Sequence, residues 1–150
     1  MTLPPSPNPT VDAIIELPGD RVVLIERAWP PLGLALPGGF MEVGECAEDA
    51  CIREAAEETN LQIELTHLLG VYSNPARDPR RHTVGIVFVA RAHGEPRGGD
   101  DARRAFAVHV DELPGLAFAF DHGLIVEDYL AFRRTGRIAP PRPLNPRPTP

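Results

Sequence analysis

The sequence predicts an α/β domain in which helices cover both faces of a mixed β-sheet. Three observations carry that expectation. β-rich runs recur along the whole chain, two helical stretches stand far apart, and 150 residues suit one core.

Val11–Leu17 and Arg21–Arg27 are rich in β-branched residues and flank Pro18-Gly19-Asp20, a turn signal, so they read as consecutive strands. The passage WPPLGLALPGGFMEVGE holds too much proline and glycine for a helix, and Ala35-Leu36 reads as a short strand entering the Pro37-Gly38-Gly39 loop. From Glu45 to Thr59 alanine and glutamate dominate, which predicts the clearest helix of the chain. Gln62–Leu65 and Leu68–Ser73 are strand candidates, NPARDPRR is a proline-broken loop, and Thr83–Arg91 is the strongest strand. HGEPRGGDDARR reads as a loop and Ala105–Val110 as a short strand, after which Asp121 is placed to cap a last helix from about His122 to Arg134.

Of the 18 prolines, four fall in residues 1–10 and six in residues 140–150. A Pro-rich N-terminal tail over 1–10 and a solvated, disordered tail over 139–150 are therefore expected on either side of a domain spanning 11–138. With 15 basic against 21 acidic residues, the formal charge of -6 argues against general affinity for nucleic acid or anionic membrane surfaces. An anionic substrate would need a local counter-charge. Cys46 and Cys51 are too few for a disulfide framework and, on one helix, would lie on different faces, which suits a reduced, cytoplasmic setting. The first residues carry neither a basic start nor an apolar run, and no stretch reaches the length of a membrane span, so a soluble protein is expected.

On a helical wheel Ala47, Ala50, Cys51 and Ala55 share the face that should meet the sheet, and Glu54 and Glu58 fall within the same arc. Glu57 lies at its edge, so residues 54, 57 and 58 have the i, i+3, i+4 spacing that gathers side chains. A glutamate run on a helix is ordinarily a solvated face; here two of the acids interrupt the inward face. Carboxylates crowded there repel one another unless a cation compensates. Hard oxygen donors suit magnesium, which keeps waters and substrate phosphates in its shell; the five histidines show no zinc-ligand spacing with the cysteines. Gly38 and Gly39, just ahead of this helix, let the backbone approach a ligand closely.

In GFMEVGECAEDACIREAAEETNL, residues Gly39, Glu45, Arg53, Glu54, Glu57, Glu58 and Leu61 stand in the spacing of the Nudix box, G-x5-E-x7-R-E-U-x-E-E-x-G-U, and the chain resembles the Nudix hydrolases. From average composition such a match arises by chance in on the order of one chain in a hundred thousand. ALPGG before the box, YSNPARDPRRHTVGIVFVARA after it, VDELP and FDHGLIVEDYL look like the ADP-ribose pyrophosphatase branch, over roughly Val11 to Arg134.

The resemblance implies a Nudix-type α/β/α sandwich and a pyrophosphohydrolase that uses Mg2+ or Mn2+. By position Glu57 and Glu58 would be the main metal ligands, Glu54 a ligand or the base, and the Gly38 carbonyl a further ligand, while Arg53 and Glu45 would pair to hold the loop against the helix. Gly39 would face the substrate, and the pattern around Arg77, Arg80 and His82 implies a shaped loop that grips phosphate or ribose. Trp29, Phe40 and Tyr72 are candidates for stacking on a base, although core packing is the commoner fate of aromatics.

Two positions depart from the pattern. Asn60 stands where the box has its final glycine, and asparagine tolerates the left-handed backbone required there. Arg104 occupies the place of an acid that relatives use, so the loop from Gly98 to Arg104 would supply a carboxylate through Asp100 or, preferably, Asp101, with Arg104 contacting an anionic substrate. The leading substrate is ADP-ribose, cut to AMP and ribose 5-phosphate. Alternatives are another nucleotide (a sugar nucleotide, dinucleoside polyphosphate or oxidised nucleotide) or a non-catalytic domain that senses ADP-ribose. A small-molecule nucleotide is the expected partner, and a homodimer is expected by resemblance alone.

Overall fold

The computed structural model describes residues 1–99 and 102–145. Its strands are β1 (Asn8–Leu17), β2 (Arg21–Arg27), β3 (Leu34–Ala35), β4 (Gly38–Phe40), β5 (Glu64–Tyr72), β6 (Thr83–Arg91) and β7 (Ala102–His109). Two α-helices, α1 (Ala47–Thr59) and α2 (His122–Thr135), and a 3-10 helix at Val110–Gly115 complete the described elements.

One mixed sheet joins the seven strands in the path β3-β2-β1-β6-β5, with β4 also pairing β1 and β7 pairing β2. β1 runs parallel to β6 from Asn8↔Thr83 to Glu16↔Arg91. β1 and β2 leave their turn paired at Leu17↔Arg21 and Glu16↔Val22. Further along, β2 pairs β3 at Ile25↔Ala35 and β1 pairs β4 at Asp12↔Gly38. The chain at Leu34–Phe40 thus fills the wedge between the two splayed strands and brings Gly38 and Gly39 beside β1.

Alternation along β1 divides the core. Val11, Ala13 and Ile15 pack with Ala50, Cys51 and Ala55 of α1, whereas Ile14 packs with Leu24, Val87, Ile125, Val126 and Tyr129 on the α2 side. The result is the expected α/β/α layering around a mixed sheet. Ile125, with no exposed surface, alone contributes about 1.5–3 kcal/mol by burial.

Several boundaries differ from the sequence reading. β1 begins at Asn8, inside the stretch read as a tail, because Pro9 needs no donor of its own: its carbonyl accepts from the Met41 amide at 3.2 Å. α1 begins at Ala47, two residues late, with Cys46 at the N-cap and Glu45 outside the helix. Gln62–Leu65 and Leu68–Ser73 resolve into one bulged strand, whose register shifts at Leu65/His67 and Leu68/Gly70 mimic a break. β7 starts at Ala102, so Arg103 and Arg104 belong to a strand rather than a loop. Asn60 does take the left-handed conformation, φ 59°, and closes α1 by donating to the Ala56 carbonyl.

Along its described part the C-terminal Pro-rich stretch is exposed, yet it is not free of the domain. Arg142 forks onto Asp128 at 2.8 and 2.5 Å. Asp128 is buried on α2, and Tyr72 donates to it at 2.7 Å. Burial alone would raise the Asp128 carboxyl; hydrogen bonds from Arg142 and Tyr72 outweigh it and hold the group below the usual carboxylate range. No described helix is long and apolar enough to cross a membrane.

Candidate active site

The acids of α1 point where the wheel placed them. Glu58 is 5% exposed, and its Oε2 accepts from the Gly38 amide at 3.0 Å. Glu54 lies against Gly39: a Cβ there would come within 2.5 Å of the Glu54 carboxyl carbon, which is the physical reason for glycine at that position. Burial pushes the Glu54 carboxyl up, against the hydrogen bond from Arg53 that pulls it down. Glu57 is the most open of the three, its side chain 40% exposed.

Arg53 ties this group together. Its guanidinium forks onto Glu45 at 3.0 and 2.6 Å, and donates to the Phe40 carbonyl at 3.1 Å. The remaining nitrogen reaches Glu54 at 2.8 Å and Glu57 at 3.2 Å. Arg53 first, and then the Glu42 amide, hold the Glu45 carboxyl below its ordinary value. The loop from Phe40 to Glu45 is thereby fastened to the helix, while the single positive charge of Arg53 is shared among Glu45, Glu54 and Glu57.

Among the described residues no group of three or more His, Cys, Asp or Glu stands gathered as a ready metal cage. Arg53 accounts for this, because it lies between Glu54 and Glu57 and occupies oxygens that an ion would use. In chemical kind the donors fit a hard divalent ion: clustered carboxylates, one buried and one exposed, beside a glycine backbone. Asp101 falls outside the described residues.

Beside Gly38 and Gly39 a cleft opens between β1, β4 and the start of α2, lined among others by Asp12, Phe40, Arg80, Phe120 and His122. Arg80 lines it too, gripped by Asp78 at 3.0 and 2.9 Å and lying 5.8 Å from the Phe40 ring and 5.4 Å from the Phe120 ring. Phe40 stands at this rim, whereas Tyr72 is packed in the core and Trp29 is exposed outside it.

Of three further residues expected to contact substrate, Arg77 lines the cleft, whereas His82 and Arg104 are not among its lining residues. Arg77 is no solvent-facing loop cation: it is buried, forks onto Asp121 at 2.9 and 2.9 Å, and donates to Thr83 Oγ1 at 2.8 Å. Asp121, expected to cap α2, makes no side-chain cap because Arg77 takes its carboxylate. His82 sits at the entry to β6, exposed, with Nε2 3.0 Å from the Ser73 carbonyl oxygen. Arg104 lies on β7, paired with Glu26 at 3.0 Å and stacked 4.4 Å over Phe106, so its cation is engaged away from the cleft lining.

Two cleft residues escaped the sequence reading. His122, buried on α2, accepts from the Leu36 amide through Nδ1 at 3.0 Å, and burial followed by repulsion from Arg77 and Arg27 pushes its pKa down to about 3. It is therefore neutral, with its proton on Nε2, 3.6 Å from Asp12 Oδ1. Burial drives the Asp12 carboxyl well above its usual range, aided by Asp121, Glu58 and Glu54 and opposed by Arg77. A lone acid inside the apolar run TVDAIIEL was the available signal.

A NUDIX domain family model matches residues 6–129. The chain is 45% identical over 130 residues to an ADP-ribose pyrophosphatase of Methanocaldococcus jannaschii, covering 85% of this chain and 75% of that protein. It is 33% identical over 97 residues to a MutT-like protein of Streptomyces ambofaciens, across 62% of this chain and 57% of that one. Among solved structures, a NUDIX hydrolase from Nitrosomonas europaea superposes with a TM-score of 0.77 at 27% identity, covering 91% and 77% of the two chains. The NUDIX domain of NrtR from Shewanella oneidensis, complexed with ADP ribose, superposes with a TM-score of 0.75 at 25% identity, covering 87% and 90%. With the family model spanning residues 6–129, and a 45% identical pyrophosphatase matching 85% of the chain, this protein belongs to the NUDIX family and is a Nudix hydrolase.

Proposed function

We propose that the enzyme hydrolyses the diphosphate of ADP-ribose, giving AMP and ribose 5-phosphate, with a divalent cation held by the α1 acids. The observation that carries this reading is the inward set of Glu54 and Glu58 against Gly39 and Gly38, in a chain 45% identical to an ADP-ribose pyrophosphatase. Glu58 and Glu57, with Glu54 and the Gly38 carbonyl, would hold Mg2+ or Mn2+. Such an ion supplies neutralising charge for the diphosphate and lowers the pKa of a bound water.

The chain's own residues do the rest. Arg53, locked to Glu45 and to the Phe40 carbonyl, fixes the glycine loop so that its backbone cannot drift from the acids. Glu58 orients the Gly38 amide, and Glu54, the more enclosed of the two acids beside Arg53, is the candidate to take the proton of the attacking water. Arg80 stands at the cleft with its guanidinium held by Asp78 and its faces near two rings, a rigid partner for phosphate oxygens. A panel of ADP-ribose, sugar nucleotides, dinucleoside polyphosphates and oxidised nucleotides, with and without magnesium, tests the proposal by chromatography of products. AMP and ribose 5-phosphate appearing from ADP-ribose only with the metal supports it. Preferred cleavage of another member, or none of any, overturns it.

A further inference from the structure

The α2 side of the cleft holds polar groups that neither the box nor its ion pairs use. Thr10 and Asp12 are two apart on β1 and so share a face, opposite Val11 and Ala13, which pack on α1. The Asp12 side chain is 9% exposed. Its ion-pair contact among the described residues is His122 Nε2 at 3.6 Å, beyond hydrogen-bond reach, while the Gly38 amide is spent on Glu58 and Arg77 on Asp121 and Thr83. Thr10 Oγ1 is likewise buried with no hydrogen-bond partner. Both residues line the cleft. Buried polar groups are almost always paired, so an unpartnered threonine hydroxyl, two residues along the same strand face from a largely buried carboxyl that makes only a long contact to His122, marks a place in the cleft that a ligand completes.

The chemistry of that ligand follows from the pair. A carboxyl accepts hydrogen bonds whether or not it is protonated and repels phosphate when ionised, while a threonine hydroxyl both donates and accepts. A metal ion would find one acid and one neutral hydroxyl here, a poor donor set beside the carboxylates of α1. Gly38 keeps space open next to Asp12, since a Cβ there would strike its Oδ1. Neighbouring hydroxyl groups on a sugar match these demands: one donates to the carboxylate and the next bonds the threonine.

We propose that Asp12 and Thr10 form a subsite for the vicinal hydroxyls of a substrate ribose, and so set the preference of this site for ribose-bearing diphosphates. The proposal rests on the reading of the substrate as a ribose-containing nucleotide. ADP-ribose offers two such diols, one on the adenosine side and one on the terminal sugar.

The test compares ADP-ribose with two analogues, one lacking the 2-hydroxyl of the adenosine ribose and one lacking that of the terminal ribose. Wild type, Asp12→Asn and Thr10→Val are assayed for kcat/KM with magnesium, and for equilibrium binding without added metal. Wild type should prefer ADP-ribose over one analogue by about tenfold or more, which also identifies the sugar concerned. Asp12→Asn and Thr10→Val should reduce that preference to within about twofold while the other analogue's ratio is unchanged. A role confined to folding would lower all three compounds together. Undiminished preference in both variants overturns the subsite, as does a wild type that discriminates neither analogue. A shifted magnesium dependence in Asp12→Asn with its hydroxyl preference intact would make the residue a metal ligand and overturn it too. If wild type fails to cleave ADP-ribose, the proposed reaction falls, and the binding arm alone decides the subsite. Thr10→Val carries the test should Asp12→Asn not fold.

Discussion

Replacing Arg77 with alanine should unfold the protein at markedly lower temperature. The Arg77 side chain is 5% exposed and makes three hydrogen bonds, two to Asp121 and one to Thr83. Alanine would leave the Asp121 carboxylate, 18% exposed, without its partner, and the fully buried Thr83 hydroxyl without its donor. Breaking a buried pair from one side costs about 3–5 kcal/mol, because the abandoned charge keeps its desolvation penalty. For a domain of this size each kcal/mol lowers Tm by about 2–4 °C, which sums to a fall of about 6–20 °C. Total stability of such domains is only about 5–15 kcal/mol, so the variant should still fold when cold. Urea and thermal melts measure both quantities. Arg77→Lys should recover only part of the loss, since an ammonium cannot fork onto a carboxylate. A Tm within about 2 °C of wild type for Arg77→Ala would refute the assignment of Arg77 as a buried tie and return it to the substrate loop as a free cation.

Other substitutions probe the site and the packing around it. Glu58→Gln should keep the fold, since glutamine can still accept from Gly38, yet lower turnover by about 100-fold or more at saturating magnesium; parental turnover would disprove its metal role. Magnesium at ten times its Kd should stabilise the wild type by about 1.4 kcal/mol, and an unchanged Tm through the millimolar range would count against a metal site on α1. Because the folded pKa of His122 lies near 3, below the unfolded value of 6.5, the unfolded chain takes up a proton between those values that the folded chain refuses. Its stabilising contribution is complete above pH 6.5 and is lost as pH falls towards 3, a few kcal/mol in all; His122→Asn should flatten that acid limb, and an identical limb would refute the buried neutral imidazole. Arg142→Ala should cost about 1–3 kcal/mol in urea titrations by leaving Asp128 buried without its fork, and no change would restore the stretch after Pro140 to a free tail.

What the sequence disclosed was mostly what is periodic or local. β6 reads directly from TVGIVFVAR, and the inward turn of Glu54 and Glu58 follows from a helical wheel, because both depend on neighbours three or four residues away. The glycine position of the box was legible through Asn60, whose side chain permits the left-handed backbone that ends α1. Pairings across the chain were not legible. Nothing near Asp121 announces that Arg77, 44 residues earlier, will take its carboxylate and deprive α2 of a cap. Arg142 looked like one more charge in a proline-rich stretch, because its partner depends on Tyr72 and α2 packing side by side. Asp12 was hidden in another way: the strand around it is apolar enough that a single acid does not disturb its β pattern.

Gly38 and Gly39 are adjacent on β4, so their missing side chains point to opposite sides of the sheet. A methyl at 38 would strike the Val11 carbonyl oxygen and Asp12, and one at 39 would meet Glu54. Residue 38 therefore guards the compartment that we assign to the sugar, and residue 39 guards the one that holds the acids. Alanine at 38 would collide with the backbone of β1 as well as with Asp12, and alanine at 39 with Glu54, so neither position of β4 admits a side chain and both sides of the strand stay open to a ligand.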